Sequence, residues 1–268
     1  MTSSGADGPD GWTSGAAYEA YIGRWSRPIA TSFLAWLARP AGGLWIDVGC
    51  GTGALTAAVL ADADPSEILG VDPSPGFLKE ARARITDPRA RFLAGTADVL
   101  PIPDVSVDTA VSGLVLNFVP EPAAMLGEMR RVTAAGGVVG AYVWDYADGM
   151  TLLRGFWDAA VALDPAAAAQ DEGGRFPICA PEPLAAAARA ARLEDVEVTA
   201  LEIDTVFRDF DDYWRPFLAA TGPAPSYVAA LDAEQRTALR DSLGASLPIA
   251  ADGSIALRAR AWAVRGTA

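Results

Sequence analysis

Histidine is absent from this sequence of 268 residues, and cysteine occurs only twice, at Cys50 and Cys179. Without an imidazole, any general base that works near neutral pH must be a carboxylate, a tyrosine, a lysine or water. Two cysteines are too few for a disulfide framework or a zinc cluster. We therefore expect no metal site.

Long apolar runs and basic stretches are also missing. No segment approaches about 18 consecutive apolar residues, so we expect no membrane span, and the first residues lack the pattern of a secretion signal. The formal net charge of −13 opposes binding to nucleic acid phosphates. We therefore expect a cytoplasmic protein with no nucleic-acid or membrane partner, and its oligomeric state stays open.

The most informative segment that is present reads LWIDVGCGTG, from Leu44 to Gly53. It predicts a buried strand with an acidic residue near its end, then a glycine-rich turn and a helix from Ala54. Glycine accepts positive φ and lets a ligand lie against the backbone, and the helix start presents free N–H groups. The turn therefore suits a nucleotide-like ligand. No Gly-Lys-[Ser/Thr] follows, which argues against ATP or GTP hydrolysis.

Two cofactor classes fit this turn. The letters G-x-G-x-x-A from Gly49 satisfy the dinucleotide fingerprint, and Asp72 follows at about the spacing of a ribose-binding acid. An NAD(P)-dependent oxidoreductase is therefore one alternative. Asp47 and Gly53 complete the pattern D-V-G-C-G-T-G, which resembles the first motif of class I S-adenosylmethionine-dependent methyltransferases. The absence of a recognisable Tyr-x-x-x-Lys pair further disfavours a reductase.

This resemblance extends over about residues 40–145 and implies S-adenosylmethionine as the cofactor. It implies that Asp72 accepts the ribose hydroxyls and that Asp98 takes the adenine amino group. The segment from Tyr21 to Pro28 resembles an N-terminal segment of bacterial small-molecule methyltransferases, which implies a lid whose Tyr21 and Arg24, or alternatively Arg27, contact the cofactor. The other reading is that these helices only pack onto the sheet. The full set of cofactor-binding residues that we predict is Asp47, Gly49, Cys50, Gly51, Gly53, Asp72, Pro73, Ala97, Asp98, Ser112, Arg24 and Tyr21.

Candidate catalytic residues follow the fourth and fifth predicted strands. Asp145 is the preferred general base, with Tyr146 behind it, although a plain surface turn is an equal alternative. Asn117 either orients the nucleophile or caps the helix entered at Pro120. The aromatic residues after position 145 are expected to be mostly core, and a minority would form a pocket for a flat or apolar acceptor.

The alternation of strands and helices over residues 40–145 predicts an α/β fold with a doubly wound parallel sheet. The resemblance implies a Rossmann-like, seven-stranded, mainly parallel sheet whose last strand is antiparallel. Residues 1–11 are expected to be a disordered tail and 12–39 the lid helices. Residues 146–268 would complete the same domain with a helical cap at about 205–250 and the last two strands.

These features predict an S-adenosylmethionine-dependent methyltransferase that methylates an oxygen, nitrogen or carbon atom of a small organic acceptor. The resemblance is to quinone-pathway C-methyltransferases and their relatives. A protein that binds the cofactor without turnover is a further alternative, because a fold does not by itself determine a reaction.

Overall fold

The computed structural model describes residues 23–219 and 222–268. The predicted tail at 1–11, the start of the lid and Tyr21 lie outside these residues. The helices are α1 (Ser26–Leu37), α2 (Ala54–Asp62), α3 (Pro75–Arg84), α4 (Pro122–Val132), α5 (Thr151–Leu163), α6 (Pro181–Ala190), α7 (Phe210–Trp214), α8 (Pro223–Ala230) and α9 (Ala233–Ser246). The strands are β1 (Leu44–Val48), β2 (Glu67–Asp72), β3 (Ala90–Ala94), β4 (Val107–Gly113), β5 (Thr133–Trp144), β6 (Glu194–Phe207) and β7 (Ile255–Thr267).

The strands form one seven-stranded sheet in the order β3-β2-β1-β4-β5-β7-β6. Strands β1 to β5 pair in parallel, and β7 runs antiparallel to β5. The predicted Rossmann-like sheet with an antiparallel last strand is confirmed. From β1 the chain winds outward through β2 and β3, then returns to β4 and winds the other way. Ligands of such sheets bind at the carboxyl ends of the strands beside this switch point.

Helix α1 packs onto the face of the sheet at β5. Its residues Ile29, Phe33 and Leu37 are buried. A Cβ atom added to Gly140 of β5 would lie 2.8 Å from Leu37 and 3.0 Å from Phe33, so the absence of a side chain there permits close packing. The described part of the N-terminal segment is thus anchored to the sheet. Its function as a lid stays a prediction.

The chain divides into two compact units. The sheet unit contains Ser26–Trp144, Pro177–Glu202 and Arg260–Ala268. The second unit contains Asp145–Phe176 and Ile203–Ala259, together with Gly23–Trp25 among the described residues. The predicted cap at about 205–250 falls inside the second unit, which also includes α5. No described helix combines the length and the apolar character needed to cross a membrane.

Aromatic side chains form the core of the second unit. The rings of Phe156 and Phe217 stack with centroids 4.5 Å apart, and Trp157 and Tyr227 pack edge-on or tilted around Phe156. All four residues are buried. Because these rings contact one another, their burial needs no ligand, in agreement with the expectation that most of them are core.

Candidate functional site

The glycine turn after β1 has a backbone that only glycine adopts without strain. Gly49, Gly51 and Gly53 have φ values of 75°, 52° and 90°. A Cβ atom at Gly49 would also lie 2.6 Å from Cγ2 of Val115, whereas one at Gly51 would meet nothing within 4 Å. The turn is therefore packed at its first glycine and open at its second, where a ligand can approach the backbone.

Backbone hydrogen bonds attach this turn to β2. The N–H groups of Gly49 and Cys50 both donate to the carbonyl of Val71, at 2.8 and 3.1 Å. Gly53 is the N-cap of α2, and no side chain caps that helix. The N–H of Thr56, the third residue of α2, bonds to Asp47. The N–H groups of the two residues before it have no cap from the Gly53 position, and the positive end of the helix dipole favours negative charge there.

Asp47 is a buried carboxyl group with one oxygen unpaired. Its side chain is 1% exposed, and Oδ2 accepts a hydrogen bond of 2.7 Å from the Thr56 hydroxyl. Oδ1 has no hydrogen-bond partner within residues 23–219 and 222–268. Burial, and secondly the charge of Asp72, raise the pKa of Asp47 to about 7. A cationic ligand at Oδ1 would favour the ionised form.

Asp72, at the end of β2, is oriented by the backbone around it. Its Oδ2 accepts the Gly51 N–H at 3.0 Å, and its Oδ1 accepts the Ser74 N–H at 2.8 Å. Burial raises the pKa of Asp72, and these two hydrogen bonds partly oppose that effect. Each carboxylate oxygen has a second lone pair, so the group can accept two hydroxyls of a ligand while it stays fixed.

Cys50 contributes backbone to the turn and a packing group to the core. Its thiol lies among Leu78, Ala81 and Phe92. Burial raises the pKa of this thiol well above its ordinary value, and the charges of Asp47 and Asp72 act in the same direction. A thiol that stays protonated is a poor nucleophile, so Cys50 is not suited to covalent catalysis.

The predicted adenine-contacting loop follows β3 and is accessible. Asp98 and Pro73 are exposed, and Ala97 is half-buried. A hydrogen bond from the Thr96 hydroxyl lowers the pKa of Asp98, so this carboxylate is ionised at neutral pH. Asp98 and Asp72 thus both follow strands that end at the same edge of the sheet.

The end of β4 carries two predicted residues with different surroundings. The Ser112 hydroxyl donates to the carbonyl of Val48 at 2.7 Å, which ties β4 to β1. Asn117 lies in a 3-10 helix, Leu116–Phe118, and its Nδ2 atom is buried with no partner in the described part of the chain. The N-cap of α4 is Glu121. The alternative that Asn117 caps this helix is therefore wrong, because the helix begins too far along the chain.

Asp145 and Tyr146 directly follow β5 and belong to the second unit. Both are buried, which excludes the plain surface turn considered for them. Asp145 accepts the N–H of Asp148 at 3.1 Å, and the ring of Tyr146 packs 5.3 Å from that of Phe176. Their catalytic roles stay predictions.

Arg24 pairs with an acidic residue of its own unit. Its guanidinium donates to Asp212 Oδ1 at 3.1 Å and to the Val206 carbonyl at 3.2 Å, and it lies over the rings of Trp25 and Phe207. Its contact with a cofactor stays a prediction, as does that of Tyr21, which is not among the described residues.

Two residues of this region were not predicted as site residues from the sequence. Thr56 is fully buried and holds Asp47, and its signal is a single polar residue in the otherwise apolar start of α2. Trp144 is 1% exposed, and its indole Nε1 has no partner among the residues that the structure describes. Nothing in the sequence distinguishes Trp144 from an ordinary core tryptophan.

Comparisons with known proteins agree with this geometry. Residues 46–140, from β1 into β5, match the family described as "Methyltransferase domain". The chain is 34% identical over 160 residues to trans-aconitate 2-methyltransferase of Methylobacterium radiotolerans, which covers 57% of this chain and 60% of that protein. Residues 46–140 of this chain thus match a methyltransferase domain, and the comparisons support the class I S-adenosylmethionine-dependent methyltransferase family.

Another relative within this family is the chloroplastic 2-methyl-6-phytyl-1,4-hydroquinone methyltransferase of Spinacia oleracea. It is 34% identical over 94 residues, which cover 35% of this chain and 27% of that protein. The chain thus spans less than two thirds of the length of both curated relatives. The aligned regions support the methyltransferase family. The acceptors in the names of these relatives are stated for those proteins alone.

A solved structure shares the fold at low sequence identity. Phosphoethanolamine N-methyltransferase 2 of Haemonchus contortus, in complex with S-adenosyl-L-methionine, superposes with a TM-score of 0.57 at 14% identity. The match covers 92% of this chain and 56% of that one. S-adenosylmethionine is the cofactor of this family, and the groups around Gly51 fit it. They are the open backbone at Gly51, the carboxylate of Asp72 held by two N–H groups, and the unpaired buried Oδ1 of Asp47.

Proposed function

We propose that this protein transfers the methyl group of S-adenosylmethionine to a small organic acceptor. The observation that carries the proposal is the pair of carboxyl groups beside the open glycine turn. Asp47 has an unpaired oxygen and Asp72 is held by two backbone N–H groups, at 3.0 and 2.8 Å. Asp47 is the second-last residue of β1 and Asp72 is the last residue of the neighbouring β2, so both lie at the carboxyl edge of the sheet, where ligands of this fold bind.

Each residue of the site has a chemical partner in this cofactor. The free Oδ1 of Asp47 suits an ammonium group, because a cation stabilises the ionised form of a buried carboxyl. Asp72 suits the two ribose hydroxyls, since its orientation is already set by Gly51 and Ser74. The exposed, ionised Asp98 suits the amino group of adenine. The N–H groups at the start of α2 suit a carboxylate.

Acceptor activation requires only positioning and the removal of one proton. When bound, the cofactor supplies an activated methyl group for an in-line displacement, in which alignment provides much of the rate. Since the sequence has no histidine, the proton of an O–H or N–H acceptor passes to a carboxylate, a phenol or water. We assign this role to Asp145, with Tyr146 adjacent to it.

The acceptor class is proposed from the relatives. Trans-aconitate and a hydroquinone are the acceptors that their names print, and both are small molecules. These names favour a small-molecule acceptor that carries oxygen. Methyl transfer to oxygen, nitrogen or carbon remains open within this proposal, and so does an apolar or aromatic character of the acceptor.

Calorimetric titration tests the cofactor assignment. We expect saturable binding of S-adenosylmethionine and S-adenosylhomocysteine, and none of NADH or NADPH. Asp72→Asn should weaken the binding of S-adenosylhomocysteine at least about tenfold, because hydrogen bonds to a charged group are lost. Asp104→Asn is the matched control, since Asp104 is a surface residue paired with Arg131. Binding of the nicotinamide nucleotides alone would overturn the assignment.

A turnover assay tests catalysis. The release of S-adenosylhomocysteine is followed with trans-aconitate, 2-methylhydroquinone and a panel of phenols and amines. Asp145→Asn should lower kcat by about 100-fold or more if it takes the proton, with cofactor affinity nearly unchanged. Equal turnover in the variant would dismiss Asp145 as the base. Cofactor binding with no methylation of any compound would favour the non-catalytic alternative.

A further inference from the structure

We propose that the side-chain N–H groups of Asn117 and Trp144 bind an oxygen atom of the methyl acceptor. The acceptor would then be a carboxylate or a phenol rather than an amine. This inference rests on the proposed function and names the substrate class of that site. It is carried by two buried N–H donors that no described residue satisfies.

Both donors lie where neighbouring strands end. Gly113, the last residue of β4, is in register with Tyr142 of β5, and the Leu114 N–H donates to the Tyr142 carbonyl at 2.8 Å. Trp144 is the last residue of β5. Asn117 lies in the 3-10 helix just beyond β4, and this helix packs against β5. The two residues therefore share the carboxyl edge of the sheet, where substrates of this fold bind.

The burial of these groups calls for a partner. Trp144 is 1% exposed, and both its Nε1 and the Nδ2 of Asn117 are buried atoms. An N–H group without water or a protein acceptor costs free energy, so such groups are rare in folded proteins. Of the eight unpaired buried side-chain atoms among the described residues, these two lie on adjacent elements of one edge. We infer that one ligand oxygen accepts from both.

The segment that carries Asn117 borders the glycine turn. Val115, two residues before Asn117, lies so close to Gly49 that an added Cβ would approach its Cγ2 to 2.6 Å. An acceptor oxygen bound after β4 would thus lie next to the backbone assigned to the cofactor. Asn117 and Trp144 would act as positioning residues that align the acceptor with the methyl group.

The chemistry of the donors selects the acceptor class. An indole N–H only donates, and the amide NH₂ group also donates. A carboxylate or phenol oxygen has lone pairs for both donors. A protonated amine has no lone pair for either N–H group, and it could pair only with the amide oxygen of Asn117.

Nuclear magnetic resonance can observe Asn117 directly, because it is the only asparagine in the sequence. Protein labelled with ¹⁵N-asparagine shows one side-chain amide pair. With S-adenosylhomocysteine saturating, we titrate trans-aconitate as the carboxylate, 2-methylhydroquinone as the phenol and phenethylamine as the amine. We expect the carboxylate or the phenol to move the amide signal, which identifies the oxygen source, and the amine to leave it unmoved.

The opposite pattern overturns the inference. If neither oxygen compound moves the Asn117 signal, or if only the amine does, the site is not an oxygen site. Failure of the protein to bind S-adenosylhomocysteine at all would instead refute the proposed function. The two failures are therefore distinguishable.

Variants provide a second test with the acceptor that is methylated best. Asn117→Leu keeps the volume and removes the donors, so KM for the acceptor should rise at least about tenfold, with the melting temperature equal or higher and S-adenosylhomocysteine affinity unchanged. Trp144→Phe should also raise KM. Trp45→Phe, near the amino end of β1, is the matched control and should leave KM unchanged. The inference would be refuted if Trp144→Phe and Trp45→Phe had the same KM, or if Asn117→Leu left KM unchanged.

Discussion

Asp47 is a carboxyl group whose charge depends on what binds beside it. It is buried, it accepts one hydrogen bond from Thr56, and its other oxygen is unpaired in the described structure. Burial is the main reason that its pKa rises from 3.8 to about 7. A substantial fraction of this group is therefore neutral near pH 7 when no cation is present.

Cofactor affinity should consequently depend on pH. An ammonium group binds the ionised form of Asp47, so S-adenosylhomocysteine should bind more tightly as the pH rises from about 5.5 to 7 and level off above that. Binding at about pH 6.5 should release a proton, which calorimetry in two buffers of different ionisation enthalpy detects. Asp47→Asn should bind more weakly and without this pH dependence. A pH-independent affinity of the unchanged protein would contradict the assignment.

At the scale of an element, the glycines of the turn after β1 serve two different purposes. Gly49 permits close packing, and Gly51 leaves space beside the backbone. Gly49 has a φ of 75°, and a Cβ added there would lie 2.6 Å from Cγ2 of the β-branched Val115. Gly51 has a φ of 52°, and a Cβ added there would meet nothing within 4 Å. A side chain at Gly49 would strain the backbone and clash with a stiff neighbour. A side chain at Gly51 would mainly occupy the space of the ligand.

Alanine substitutions should therefore act on different properties. Gly49→Ala should lower the free energy of unfolding by roughly 2–4 kcal/mol, from backbone strain plus overpacking. Gly51→Ala should lower the free energy of unfolding by roughly 1–2 kcal/mol. It should also reduce the affinity for S-adenosylhomocysteine by much more than this loss of stability explains. Urea denaturation and calorimetry on the two variants check this. The expectation fails if both variants lose the same stability and the same affinity.

The connection between α5 and α6 contains a second buried carboxyl group. Glu172, in the 3-10 helix Glu172–Gly174, is 3% exposed and accepts a hydrogen bond from the Trp157 indole. Burial raises its pKa to about 7, and the charge of Asp171 adds to this while Arg154 opposes it. Burial is the largest single effect on the neighbouring Asp171 and opposes its ionisation. The hydrogen bonds from Arg154 and the Gly173 N–H, together with the charge of Arg154, outweigh it and lower the pKa of Asp171.

These neighbours should contribute to stability with opposite signs of pH dependence. The pKa of Glu172 is raised on folding, so its contribution is fully present below about pH 4.5 and is lost as the pH rises through 7, by about 3 kcal/mol at most. Glu172→Gln should therefore flatten the decline in unfolding free energy between about pH 5.5 and 7.5. Asp171→Asn, the matched control, should lower the free energy of unfolding by the same amount at about pH 5.5 and at about pH 7.5. An unchanged slope in Glu172→Gln would show that the group is not protonated in the folded state.

At the scale of the whole molecule, charge should influence cofactor association. The formal net charge is −13, and S-adenosylmethionine carries one net positive charge that S-adenosylhomocysteine lacks. Attraction over distance raises association rates and is screened by salt. The association rate of S-adenosylmethionine should fall several-fold between about 20 and 300 mM salt, while that of S-adenosylhomocysteine changes little. Stopped-flow tryptophan fluorescence measures both, and equal salt dependence would argue against steering.

Much of the fold was predictable because the sheet unit repeats one local pattern. Each of β1 to β5 is a short apolar segment, and the intervening α2, α3 and α4 begin at glycine, serine or proline signals. Pro122 at the first turn of α4 shows the limit of such signals, since Pro120 offers a competing start. The second unit was less predictable, because its segments meet across long sequence separations.

The sequence by itself determined the cofactor edge of this protein. The glycines of one turn and the acids near the ends of β1 and β2 are visible in the chain, and the parallel pairing of these two consecutive strands brings Asp72 to Gly51. Only the tertiary structure decided which polar atoms are left unpaired. Whether Asn117 Nδ2, Trp144 Nε1 and Asp47 Oδ1 find partners depends on side chains that folding brings from distant positions, and no spacing in the chain encodes that outcome.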